Sequence, residues 1–199
     1  MARWLLLAML VPAVTRAAPL DGFLRLHAET RGFMLGRPVA PWPTPDGKSV
    51  LFLRSPPRTP ELSLYELTAA TGETRELVTP RKLLQGADEQ LTPDERARRE
   101  RMRVSTRGFG SFALSDDGAL VLLPLSGRLY TYRRSDGAIA ELPTGEGAPI
   151  DPKLSPDGKK VAYVRNGDLY VLELGAKKPR RLTTSGDPRV TNGLAEFVA

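Results

Sequence analysis

The run Pro45-Asp46-Gly47-Lys48 recurs as Asp116-Asp117-Gly118 and again as Pro156-Asp157-Gly158-Lys159. Asp117 and Asp157 stand 40 residues apart, and their surroundings keep step: Tyr130 and Tyr170 each follow by 13, and Leu142 and Leu182 each by 25. Self-similarity at about 40 residues, built from short apolar runs between turn residues, is the mark of a β-propeller blade. In the first copy Tyr65 follows Asp46 by 19 and Leu77 by 31, so both are displaced by six. The extra residues fall before Tyr65, in Ser55-Pro56-Pro57-Arg58-Thr59-Pro60.

Each unit reads as four short strands. In the third copy they fall at 150–154, 160–164, 169–174 and 180–183; in the second the matching strands are 119–124, 128–132 and 139–142. Proline presets φ and glycine accepts a positive φ in the Asp-Gly turns, while Asn166-Gly167 is a two-residue hairpin turn. Val50-Leu51-Phe52-Leu53 is apolar on both sides, which suits a sheet stacked between two others. Three blades are too few for a ring of four to eight. The expected architecture is therefore all-β: an incomplete propeller with blades at about 37–79, 108–144 and 148–185 and the start of a further blade at 186–199. The unpaired face of the last blade predicts marginal folding of the isolated chain.

The repeat is interrupted once. Leu77 to Asp117 spans 40 residues where Leu142 to Asp157 spans 15, which leaves 25 extra at about 80–107. Within them Thr92 is an N-cap, Pro93 occupies the first helical position and Glu95 lies three residues after the cap. A helix over 93–103 follows, with only Ala97 and Met102 between its charges and with Glu95/Arg99 and Arg96/Glu100 as supporting pairs.

At the amino terminus Arg3 precedes an apolar run over 4–11 and then small residues, the layout of a secretory signal too short to span a bilayer. Cleavage is expected after Ala17, which makes the mature chain periplasmic or extracellular, with no membrane span. Losing Arg3 and Arg16 leaves 29 − 2 = 27 basic residues against 23 acidic, a net charge of +4. That charge is small and interleaved with acids, so nucleic acid is not an expected partner. The chain has no cysteine, so its stability must come from its core and not from disulfides.

The chain has one histidine, His27, and no Gly-x-Ser-x-Gly elbow to present a serine. It also lacks a His-Glu-x-x-His pair, a cysteine ligand set and a phosphate-binding glycine loop, so neither a catalytic residue nor a metal or other cofactor is expected. His27, in Leu24-Arg25-Leu26-His27, reads as a strand or loop residue. Asp46, Asp117 and Asp157 could ligate a cation, but each precedes a turn glycine, where its carboxylate serves local backbone donors. Tyr65, Tyr130 and Tyr170 hold a constant place in the repeat and read as packing residues. The arginine-dense helix is either a solvated surface element or a recognition element, since the planar guanidinium suits carboxylates and carbonyl oxygens.

The Asp-Gly repeats, the run Glu95-Arg96-Ala97-Arg98-Arg99-Glu100-Arg101-Met102-Arg103 and the closing Asn192-Gly193-Leu194-Ala195-Glu196-Phe197 together resemble the amino-terminal propeller of the dipeptidyl peptidase IV family. These are serine peptidases of the prolyl oligopeptidase clan. The resemblance runs from about Arg37 to Ala199 and implies an eight-bladed propeller over an α/β-hydrolase domain that brings the Ser-Asp-His triad. It implies a peptide substrate held by its free amino terminus on a glutamate pair, release of dipeptides, and a homodimer in the full protein. Glu196 resembles the acidic residue that precedes that pair. The helix resembles one whose arginine reaches a substrate carbonyl, a role that falls to Arg99, Arg101 or Arg103. The chain alone, without the hydrolase domain, is expected to be inactive. The repeat by itself is shared with TolB-like periplasmic propellers, which act as binding or scaffold modules.

Overall fold

The computed structural model of the chain describes residues 20–101, 103, 105–184, 187 and 190–193. The leader expected at 1–17 lies outside the described residues, as does most of the expected further blade at 186–199. Helix α1 (Leu20–Glu29) leads into β1 (Val39–Pro43), β2 (Ser49–Arg54), β3 (Glu61–Thr68) and β4 (Thr74–Val78). Two helices follow, α2 (Pro80–Leu83) and α3 (Pro93–Arg101), and then the short strand β5 (Arg107–Gly108). The second meander is β6 (Ala113–Leu114), β7 (Leu120–Leu125), β8 (Arg128–Arg133) and β9 (Ile139–Glu141). The third is β10 (Ile150–Leu154), β11 (Lys160–Arg165), β12 (Asp168–Glu173) and β13 (Arg180–Arg181). Each meander pairs its four strands antiparallel in chain order, so the chain is an incomplete propeller with one inserted arginine-rich helix.

The repeated turn has the same bonds in all three blades. The hydroxyl of Thr44, Ser115 or Ser155 donates to Oδ1 of Asp46, Asp117 or Asp157 at 2.6 Å. That Oδ1 also accepts the backbone N–H of Lys48, Ala119 or Lys159 at 3.1, 2.9 and 3.1 Å. The hydroxyl oxygen in turn accepts the N–H of Ser49, Leu120 or Lys160, which starts the next strand. These bonds satisfy the carboxylates locally, as the turn reading requires. The hydroxyl bonds first, and the backbone N–H bonds second, hold all three carboxyls below the usual aspartate range.

This has a pH consequence. A carboxyl whose folded pKa is depressed contributes stability above its unfolded value, and that contribution is lost as pH falls through the folded one. Three such turns predict denaturation midpoints that stay level from neutral pH to about pH 5 and drop below about pH 4. Urea melts at pH 7 and pH 3 with equal midpoints would contradict this.

The blades stack through alternating faces of their central strands. Val121, Leu123 and Leu125 of β7 pack with Leu51, Leu53 and Leu64 of the first blade. Leu122, one residue out of phase, joins Val161, Tyr163 and Leu172 of the third. The middle blade is therefore buried on both faces, each fully buried leucine adding roughly 2 kcal/mol. The repeat tyrosines are packing residues: Tyr130 is buried, Tyr170 stacks on Tyr163 at 5.9 Å and Tyr65 on Phe52 at 5.8 Å. Burial, and then a bond to Glu76 Oε2, pushes the Tyr65 hydroxyl up to about 12.

Three features depart from the reading of the sequence. His27 sits in the last turn of α1 and not in a strand or loop, because Phe23, Leu24 and His27 repeat at helical spacing. α3 closes at Arg101, two residues early, where Arg103 takes a positive φ of 53° and donates its N–H to Glu100 O. β1 and β10 each carry a bulge, with positive φ at Ala40 (50°) and Asp151 (47°), both immediately before a proline. Both residues stand six before the turn aspartate, so the bulge recurs at one place in the first and third blades, while β6 of the second pairs without one.

Candidate functional site

An antiparallel meander puts its first and third turns at one end and its second turn, with the link to the next blade, at the other. The Asp-Gly turns share the first rim, where Gly118 lies against Pro45 and Gly158 against Ser115. Every break in the repeat falls on the second rim. The β2–β3 hairpin leaves eight residues, 55–62, between the pair Arg54↔Ser63; β7–β8 leaves two, 126–127, between Leu125↔Arg128. The difference, 8 − 2 = 6, is the displacement seen in the sequence. The last two of those eight, Glu61 and Leu62, are diverted into parallel pairing with Arg107 and Gly108 of β5. The loop in one blade and the helical insertion after it therefore hold each other.

Several bonds fix the insertion. Thr79 caps α2 through its hydroxyl, which accepts the Lys82 N–H at 3.1 Å. Gln90 donates its N–H to Ser126 Oγ at 3.1 Å, which ties the approach to α3 to the β7–β8 turn. On the far side Arg107 N–H donates to Pro60 O and Phe109 N–H to Leu62 O, and Phe109 is fully buried. The amino-terminal segment joins the same rim. Arg31 Nη1 donates to Ser105 O at 2.9 Å and to Ser105 Oγ at 2.7 Å, and Glu29 pairs with Arg58 at 3.0 Å.

The three candidate arginines separate. Arg99 is buried: its Nη2 donates to Glu89 Oε1 at 2.7 Å and to Gly108 O at 3.1 Å, and its Nη1 to Thr106 O at 3.2 Å. Arg101 and Arg103 are exposed. The helix is thus not simply a solvated face, because one of its arginines turns inward. Glu89 is one of several acids ahead of the arginine run, and a ten-residue separation across a turn does not reveal a pair.

His27 is exposed and packs its ring with Phe23 and Phe33, at centroid distances of 6.1 and 5.6 Å. At the other end Asn192, which opens the distinctive closing run, donates Nδ2 to Asp168 Oδ1 at 3.0 Å and its N–H to Gly167 O at 2.7 Å. Asp168 is buried and also accepts Thr183 Oγ1 and Arg181. Burial raises its pKa, but the bonds from Thr183, Arg181 and Asn192 outweigh this and leave it below the usual aspartate range. Glu196 lies outside the described residues.

Residues 115–199 match the family model described as "Dipeptidyl peptidase IV (DPP IV) N-terminal region". That match takes in the second blade from β7 onward and the third blade, and leaves out β6 and α3. Among solved structures the chain is similar to dipeptidyl peptidase 4 of Porphyromonas gingivalis, at 18% identity and a TM-score of 0.49, over 79% of this chain and 21% of that one. It is also similar to the tricorn protease, at 12% identity and a TM-score of 0.47, over 70% of this chain and 14% of that one. The chain therefore spans about a fifth of the length of the first of these and less of the second. Over residues 115–199, somewhat less than half of its length, the chain is thus similar to the N-terminal region of dipeptidyl peptidase IV.

Proposed function

We propose that this chain is the amino-terminal propeller segment of an exported dipeptidyl-peptidase-type serine peptidase of the S9 type, and that its helix-bearing rim binds and gates peptide substrates. The observation that carries the reading is the gathering of every break in the repeat on one rim, with Arg101 and Arg103 of the insertion open to solvent. A fork of donors there suits the backbone carbonyls of an extended peptide. The chemistry, an acyl-enzyme formed by a serine, belongs on this reading to a hydrolase domain in the same protein. The sole histidine, packed between Phe23 and Phe33 on α1, has no part in it.

The coding sequence past Ala199 tests the proposal. A Glu-Glu pair within a few residues and a Gly-x-Ser-x-Gly elbow several hundred residues later support it. Further repeats and then a stop codon would replace it with a non-enzymatic, TolB-like binding propeller. The 199-residue chain should not turn over a dipeptidyl p-nitroanilide. Turnover that is lost on His27→Ala would overturn the reading, and recovery of a secreted form beginning at Ala18 would support export.

A further inference from the structure

A helix with almost no apolar stripe cannot be held to a propeller by hydrophobic burial. Among the described side chains of α3, Arg99 alone is buried, and its partner Glu89 lies on the segment that leads into the helix. Their side chains are 10% and 9% exposed. Glu89 uses both oxygens: Oε1 accepts Arg99, and Oε2 accepts the Gly108 N–H at 2.8 Å. Arg99 donates to Gly108 O of β5 and to Thr106 O just before it. Gly108 belongs to β5, which is paired to β3 of the first blade. The ion pair therefore joins the stretch before α3, α3 itself and the strand after it to the first blade.

From this geometry we infer that Glu89 and Arg99 form a positioning pair: neither touches peptide, and together they set the placement of α3 and so of Arg101 and Arg103. The inference rests on the reading of the rim as peptide-facing for its functional half, while its structural half stands alone. Changing Glu89 takes away the nearly buried carboxylate that Arg99 Nη2 and the Gly108 N–H share, which favours release of the whole segment over its retention. Removing an exposed arginine instead deletes a contact and leaves the helix in place.

The test reads two quantities on the full 199-residue chain. One is hydrogen exchange of the α3 amides; the other is the affinity for Ala-Pro-Ala-Ala with a free amino terminus and a fluorophore at its carboxyl end. In Glu89→Gln we expect exchange in α3 to quicken at least tenfold and affinity to fall about tenfold, while exchange in β7 and β11 stays as in the wild type. Arg99→Lys, which keeps the charge and loses the fork, should fall between, and it serves if Glu89→Gln does not fold. Arg101→Ala/Arg103→Ala should lower affinity without quickening exchange. Unchanged exchange in both Glu89→Gln and Arg99→Lys would overturn the inference. So would faster exchange with undiminished affinity in a chain whose affinity the double variant lowers. If exchange quickens and no variant alters affinity, the lock is upheld and the peptide-binding reading of the rim is the part that fails.

Discussion

Glu66→Ala is expected to destabilise the chain by about 3 kcal/mol, because it removes a buried carboxylate that joins two blades. Glu66 lies on β3 with only 3% of its surface exposed. Its Oε1 accepts Arg134 Nη2 from the turn after β8, and its Oε2 accepts Arg75 from β4 at 2.7 Å. Arg134 continues to Gly118 O at 2.7 Å, so one guanidinium links the first blade's third strand to the second blade's Asp-Gly turn. Burial raises the Glu66 pKa, but bonds from Arg134, Arg75 and Ser49 overcome it and the carboxyl stays ionised well below neutral pH. Truncation strands Arg134, whose Nε already has no partner among the described residues. Arg75 is 60% exposed, and Arg75→Ala should therefore cost less than about 1 kcal/mol. Urea melts of the single variants and of Glu66→Ala/Arg134→Ala measure the coupling, expected at about 1 to 3 kcal/mol. Additive losses would show that the two blades are held by their apolar faces alone.

The two-residue turns, the six-residue excess and the doubly apolar β2 are all legible in the sequence, since each is a local pattern of neighbouring residues. The bulges at Ala40 and Asp151 share one interval to the turn aspartate and still went unread. A bulge changes pairing, which spacing between turns does not report, and the shared Ala-Pro and Asp-Pro dipeptides are weak signs of positive φ. The existence of α3 followed from Thr92, Pro93 and Glu95, which are a capping signal within four residues. The inward turn of Arg99 depends on Glu89, Thr106 and Gly108, three residues brought together only when β5 pairs with β3. Parallel pairing of a two-residue strand leaves no periodic trace. The site is thus legible where it is helical and hidden where it is tertiary, and the separation of Arg99 from Arg101 and Arg103 belongs to the hidden part.

Gly108→Ala should cost about 3 kcal/mol and act on the rim before it acts on the blades. Gly108 has φ +80°, and a Cβ there would stand 2.4 Å from Leu62 O, 2.8 Å from Pro80 Cγ and 3.0 Å from Leu62 N. Two of these are backbone atoms of the paired strand and cannot rotate away, so β5 must leave β3. Its departure breaks the bonds from Arg107 N–H to Pro60 O and from Phe109 N–H to Leu62 O, and draws Phe109 out of the core it shares with Leu62 and Leu83. It also removes the N–H and carbonyl that Glu89 and Arg99 hold, so α3 loses its seat in the same step. Gly47→Ala isolates the contribution of backbone conformation: φ is +66° there, but a Cβ would meet nothing within 4 Å. That variant should lose only about 1 kcal/mol. Urea melts give the two costs, and hydrogen exchange at Arg107, Gly108 and Phe109 shows where the damage starts. Equal losses at positions 47 and 108, with the β5 amides still protected in Gly108→Ala, would mean that β3 can yield to a methyl group and that β5 is not what seats the helix.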